Sequence, residues 1–294
     1  MSKPRIFWLL LSAVLFYTTN VSADQTNNTN APPDNTNKPV TSLLDNPAWI
    51  TLYKPTYFFP FYYTESPYYS IYEHNTPDQQ RLDKTEVNFQ ISFKVPVWHN
   101  IISPNSTLYV AYTQLSFWQA YNRSPFFRET NYQPELYIEN KLDKPIYKDW
   151  DLKFFNVGAE HQSNGRGGAL ERSWNRLYVD GIFANKNWLI GIRPWYALHD
   201  SSMRTHNPNI SDYLGYGREL LSYKMGNQEL SMQLRNVFES GFKRGAVQLN
   251  WSFPVTKHFK GYVQWFSGYG QSLIEYNHYT NSAGIGVALN DWIR

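Results

Sequence analysis

The sequence of 294 residues contains no cysteine. That excludes disulfides, thiolate nucleophiles and cysteine metal sites, and is compatible with an oxidising compartment. A dominant charge is also missing, with 27 Lys and Arg against 24 Asp and Glu, a formal net charge of +3. The basic residues are scattered, so neither nucleic acid nor a strongly acidic partner is implied. No apolar run approaches the roughly 20 residues a spanning helix needs, which excludes a helical membrane protein. There is no G-x-S-x-G elbow and no phosphate-binding loop. Outside His161 the histidines (His74, His99, His199, His206, His258 and His278) lack metal-ligand spacing and read as loop or interface residues.

Aromatic residues are abundant: 18% of the chain, including 23 Tyr and 11 Trp. The mean hydropathy is nevertheless low, at −0.55. A soluble enzyme core would favour Leu, Val and Ile. Transmembrane barrels combine the two properties, because polar lumen residues offset lipid-facing apolar ones and aromatics form girdles at both interfaces.

At the N-terminus, Lys3 and Arg5 precede the apolar run IFWLLLSAVLFY, and Val21-Ser22-Ala23 offers a small-residue cleavage site. Residues 1–23 read as a secretory signal peptide. Residues 24–48, rich in Asn, Thr and Pro, read as a flexible leader. From residue 49 to residue 294 no further linker-like break occurs, which favours one domain. Two-residue alternation is clear there. Val87, Phe89, Ile91, Phe93, Val95 and Val97 alternate with Asn88, Gln90, Ser92 and Lys94. Val247, Leu249, Trp251, Phe253 and Val255 alternate with Gln248, Asn250 and Ser252. Each run is about 10 residues long, enough for a tilted strand to cross a bilayer. Pro96 and Pro254 are expected near strand ends, where a lost ladder bond matters least. At about 20 residues per strand and loop, the domain predicts an all-β transmembrane antiparallel barrel of about 12 strands. A soluble β-sandwich also alternates, but the aromatic load, the signal peptide and the strand length argue against it.

The stretch HQSNGR, residues 161–166, breaks the pattern. Phe155, Val157 and Ala159 form one face of a predicted strand, and Asn156, Gly158, Glu160 and Gln162 form the other. His161 and Ser163 continue the apolar, lipid-facing set, and residues i and i+2 share a face. In the next segment Asn175 shares the parity of Leu177 and Val179, and GRGGALER joins the two strands as a hairpin. Three polar side chains are thus expected together on the greasy wall. That arrangement suits a hydrolase triad, with Ser163 as nucleophile, His161 as general base and Asn175 as orienter. A neutral amide fits the third position, since a carboxylate facing lipid carries a heavy desolvation cost. The glycines free the Gly165 N–H to meet an oxyanion. A site facing lipid implies a lipid substrate. Histidine and serine at a strand rim are ordinarily just interfacial polar residues. The shared parity of three residues, with Gly165, sets the chemical reading beside that one.

The hairpin HQSNGRGGALERSWNRLY resembles the active-site hairpin of the bacterial outer-membrane phospholipase A family. SPFFRETNYQPELY, NWLIGIRPWY, PVTKH, SGYGQSLIEYN and GVALND do so too, in order, from about residue 85 onward. The resemblance implies a twelve-stranded barrel carrying a calcium-dependent serine esterase on its outer wall. Its catalytic residues match His161, Ser163 and Asn175, and its oxyanion amide matches Gly165. Calcium is then held in part by backbone carbonyls matching Arg166 and Glu171. The family commonly has Ser where this chain has Glu171, a change that a carbonyl ligand survives. A serine from the partner subunit, matched by Ser124, completes the calcium site in an active homodimer, with the monomer at rest. Gln114 matches a polar residue of the dimer interface. The loop HDSSMRTHNPN is longer than the family leads one to expect, and no ligand is carried into it. The terminal aromatic that marks the last strand for assembly is shifted, since the chain ends Trp292-Ile293-Arg294.

The sequence therefore predicts a multi-pass bacterial outer-membrane enzyme that hydrolyses acyl esters of glycerophospholipids, with lysophospholipid as a further substrate. A non-catalytic barrel, a porin or structural protein, is the rival reading. A barrel protease would need paired acids at the rim, and the sequence offers none.

Overall fold

The computed structural model describes residues 50–293; the expected signal peptide and leader lie outside the described residues. Thirteen strands follow in chain order: β1 (Thr51–Leu52), β2 (Tyr57–Thr64), β3 (Thr85–His99), β4 (Ser106–Gln119), β5 (Phe126–Tyr147), β6 (Trp150–Ser163), β7 (Ser173–Asn185), β8 (Trp188–Leu198), β9 (Gly217–Met225), β10 (Gln228–Arg235), β11 (Ala246–Pro254), β12 (Lys260–Tyr269) and β13 (Tyr279–Ala288). Each of the strands β2 to β13 pairs antiparallel with its neighbour, and β13 pairs with β2. The result is a closed barrel of twelve strands, as the sequence predicts. β1 is a short extra rung against β3. Three short helices lie in loops: α1 (Tyr69–Tyr72), α2 (Ser201–His206) and α3 (Ile210–Leu214).

Long connections gather at one end, at residues 65–84, 164–172, 199–216, 236–245 and 270–278. The other end carries short turns, such as 148–149, 186–187 and 226–227. In outer-membrane barrels the long loops are extracellular, which places residues 164–172 at the outer leaflet. The wall is uneven in height. β5 is 22 residues long, whereas β10 has 8.

The period-two pattern sorts the two faces, with the polar set inside. On β3, Ile91 is 45% exposed while Ser92 is fully buried. On β6, Val157 is 47% exposed while Glu160 is 6% exposed. Pro254 closes β11 as expected. Pro96 falls instead within β3, where the register with β4 shifts. The shift absorbs the ladder bond that proline cannot make.

The lumen is filled by ion pairs. Glu135 is bound by Lys54 at 2.5 Å and Arg193 at 2.9 Å, and Arg193 also reaches Asp180 at 2.8 Å. Arg128 joins Glu86 and Glu275. At the outer end, loop 270–278 folds inward and buries Leu273 and Ile274. At the inner end, Asn290 ties the two terminal segments together by bonds to Thr56 and Lys54. The Ile293 N–H donates to Glu229 at 2.8 Å. Cavities of about 160 and 170 Å³ lie among these side chains.

Candidate active site

The site grows from the ends of β6 and β7. His161 and Ser163 continue the outward-facing set of Phe155 and Val157, and Asn175 continues that of Leu177 and Val179. The antiparallel register sets His161 opposite Asn175, and Ser163 opposite Ser173. His161 Nδ1 lies 2.7 Å from Asn175 Oδ1. No hydrogen bond joins His161 to Ser163. Such pairs are often loose without substrate.

The hairpin is braced from behind. The Trp174 indole N–H donates to Gln162 Oε1 at 2.8 Å, and Trp174 meets Trp195 edge to face at 6.0 Å. The Arg176 guanidinium lies 4.0 Å from the Trp174 ring centre and is ion-paired with Glu160. A lipid-facing row therefore rests on a tightly packed inner face, which limits its drift.

The β5 side is less regular. Tyr132 pairs with Ser163 and Glu135 with Glu160, and the two residues between them are unpaired. The register puts Pro134 opposite His161, and proline has no N–H to give. Gly165 has φ +65°, and a Cβ there would come within 2.9 Å of Tyr132 Cε2. Backbone conformation and the tyrosine ring together restrict this position to glycine.

Loop 164–172 is tied across its neck by Asn164. Its Oδ1 accepts from the Arg166 and Arg172 N–H groups, and its Nδ2 donates to the Leu170 carbonyl at 2.8 Å. The Arg166 side chain turns inward to Glu129 at 3.2 Å. The Glu171 carboxylate turns to the neighbouring loop, accepting from Ser202 Oγ at 2.8 Å and lying 3.4 Å from His206 Nδ1. Ser173 Oγ and Ser202 Oγ are 2.7 Å apart. The donors the loop offers a metal are carbonyl and carboxylate oxygens, the set that suits a hard cation such as calcium. The Glu171 carbonyl already holds a positive group, the Arg172 guanidinium at 2.6 Å. Among the described residues no cluster of three or more His, Asp or Glu side chains could hold a metal. A site built from carbonyls and hydroxyls forms no such cluster.

The other two predicted residues stand apart from the hairpin. Ser124 lies in the β4–β5 loop, its hydroxyl donating to Asp78 at 2.5 Å and its backbone paired with Gln80. Gln114 lies on β4, bonded to Tyr112 and Ser116. It pairs with Tyr132, which pairs with Ser163, so the three share one row across the wall.

Sequence reasoning passed over Tyr132, Pro134 and Asp200. Asp200 Oδ2 accepts from Asn175 Nδ2 at 2.6 Å, and its Oδ1 caps α2 by accepting from the Met203 N–H at 2.8 Å. A legible signal did exist for Asp200, since Asp-Ser-Ser opening a helix is an N-cap pattern. Nothing local says that the second oxygen meets Asn175.

A family model described as phospholipase A1 matches residues 36–289. A phospholipase A1 from Proteus vulgaris is 39% identical over 249 residues, covering 84% of this chain and 83% of the relative. One from Escherichia coli K12 is 41% identical over 210 residues, 71% of each chain. Among solved structures, outer membrane phospholipase A from Escherichia coli superposes with a TM-score of 0.77 at 36% identity, covering 83% of this chain and 99% of that one. A Salmonella typhi outer membrane phospholipase dimer with bound calcium gives a TM-score of 0.78 at 36% identity, covering 87% and 98%. With a closed twelve-stranded barrel, a polar row on its outer wall and these relatives along most of its length, the chain belongs to the phospholipase A1 family, enzymes of the bacterial outer membrane.

Proposed function

We propose that the protein hydrolyses acyl ester bonds of glycerophospholipids, and of lysophospholipids, through an acyl-enzyme on Ser163. One observation carries this reading: a histidine and an asparagine hydrogen-bonded at 2.7 Å on the lipid-facing wall, with a serine two residues along the histidine's strand on the same face. Ser163 Oγ attacks the ester carbonyl while His161 Nε2 takes its proton. The Gly165 N–H donates to the oxyanion. Collapse breaks the ester bond, and the departing lysophospholipid alkoxide takes the proton from His161. Water, deprotonated by His161, then cleaves acyl-Ser163 to free fatty acid and serine.

Calcium, when bound, supplies positive charge that polarises the carbonyl and stabilises the oxyanion. The carbonyls of Arg166 and Glu171 would hold it in one protomer, with the Arg172 guanidinium giving up the Glu171 carbonyl, and Ser124 of the partner subunit would supply another ligand. The active form is a homodimer with Gln114 in the interface, and the monomer is the resting form. The calcium-bound dimer of the Salmonella typhi relative supports the calcium and the dimer.

The experiment is fatty-acid release from phospholipid in detergent micelles, with calcium or with chelator, for the wild type and Ser163→Ala. Release is expected only with calcium and the serine, with a loss of about a thousandfold or more in Ser163→Ala. No release from folded wild type would transfer the reading to a non-catalytic barrel. A pore is disfavoured by the ion pairs that fill the lumen and the segments folded into both of its ends.

A further inference from the structure

We infer that Asp200 is a positioning residue for the reaction, one that fixes which nitrogen of His161 carries the proton. The inference rests on the proposed role of Ser163, His161 and Asn175. An asparagine amide can present its oxygen or its NH₂ in either direction, and a neutral imidazole has two tautomers. Asp200 removes both ambiguities. Its two oxygens both accept, one from the Met203 N–H at 2.8 Å and the other from Asn175 Nδ2 at 2.6 Å, which fixes the way the amide faces. Asn175 Oδ1 then faces His161 Nδ1 at 2.7 Å, and an amide oxygen also only accepts. The proton is therefore on Nδ1, and Nε2 keeps the lone pair that a general base needs.

The placement has a physical logic. Asn175 and His161 lie on the wall that faces lipid, where a carboxylate would be costly. Asp200 is only half-buried and lies beyond the end of β8, in the loop that leads into α2. The neutral amide carries the influence of a charge from the loop to the membrane edge. A carboxylate acceptor also polarises the amide, making its oxygen a better partner for the imidazolium that forms during attack. Residues 25 positions apart act as one chain of donors because α2 is fixed in place. Asp200 caps that helix, and Ser202 on it binds both Ser173 and Glu171 of the hairpin.

Asp200→Asn separates this role from capping. Asparagine is as good a cap as aspartate. With its oxygen on Met203, however, it turns an NH₂ toward the NH₂ of Asn175. Asn175 then flips, presents its own NH₂ to His161 Nδ1, and forces the proton onto Nε2. The expected result for the full-length protein in calcium-loaded micelles is a kcat lowered by up to roughly ten-thousandfold, by analogy with wrong-tautomer variants of serine hydrolases. KM and Tm should be unchanged. Asn175→Asp sets two carboxylates against each other and should also lower kcat. The double variant Asn175→Asp/Asp200→Asn restores an acceptor toward His161 and a donor opposite it, and should exceed both single variants.

Ser163→Ala measured alongside separates the two ideas. If it still releases fatty acid, the triad falls and Asp200 falls with it. If it is inactive while Asp200→Asn keeps wild-type kcat, Asp200 alone is dismissed. A double variant no better than the worse single variant, or a loss of kcat that follows a fall in Tm, also overturns the inference.

Discussion

Two polar networks sit on opposite faces of the same wall and are built by opposite rules. Inside, Glu135 gathers Lys54, Arg193, Tyr178 and Tyr53 around one carboxylate, and every member is charged or bonded to a charge. Outside, His161 is bonded to the uncharged amide of Asn175, and the carboxylate that this amide meets, Asp200, is held in a loop. The lumen can hold full charges because opposite charges and hydroxyls surround them. The outer face meets hydrocarbon on one side and cannot supply such partners. Polarity on the lipid side thus belongs to a site, and polarity in the lumen belongs to the fold.

The largest expected effect breaks the inner network. Glu135→Ala leaves Lys54 and Arg193 buried without their carboxylate and should cost about 3–5 kcal/mol. Denaturant unfolding in micelles measures this. Activity per folded molecule should change little, and a stability loss below about 1 kcal/mol would mean that the inner pairs are dispensable.

A charge placed on the wrong face tests the same contrast. Leu177 is 48% exposed toward lipid, one residue beyond Arg176, which the lumen accommodates. Leu177→Arg should destabilise the barrel in bilayers by roughly 2 kcal/mol, less if the position lies near the interface. Equal stability of variant and wild type in lipid vesicles would refute the assignment of faces.

The smallest expected effect sharpens the outer site. Gly165→Ala must hold a positive φ and push the Tyr132 ring away, so the amide moves and kcat should fall about tenfold. Gly167→Ala meets no atom within 4 Å and should retain activity. Adding Tyr132→Ala to Gly165→Ala relieves the contact and should recover part of the loss. Equal kcat for the two glycine variants would leave no role for the close approach of Tyr132.

Much of this was legible in the chain. Alternation in β3, β6 and β11 announced a barrel with its polar face inward. The parity of His161, Ser163 and Asn175 set them on the outer face before any contact was known. Strand irregularities were less legible. Pro96 lies within a strand because a register shift accommodates it, and Pro134 falls opposite His161 only through the pairing of β5 with β6. The carboxylate of Glu171 accepts from Ser202 on α2, a contact that no local pattern announces.

By itself, then, the sequence determined which face of each strand each residue occupies, because a period of two is a property of the extended backbone and needs no partner strand. It also determined the hairpin that joins His161 to Asn175, since nine loop residues separate β6 from β7. The tertiary structure decided what lies opposite what. Asp200 reaches Asn175, Tyr132 covers Gly165 and Lys54 finds Glu135 through strand register, barrel closure and loop packing. Those contacts are set by the ring of strands as a whole, and no local pattern encodes them.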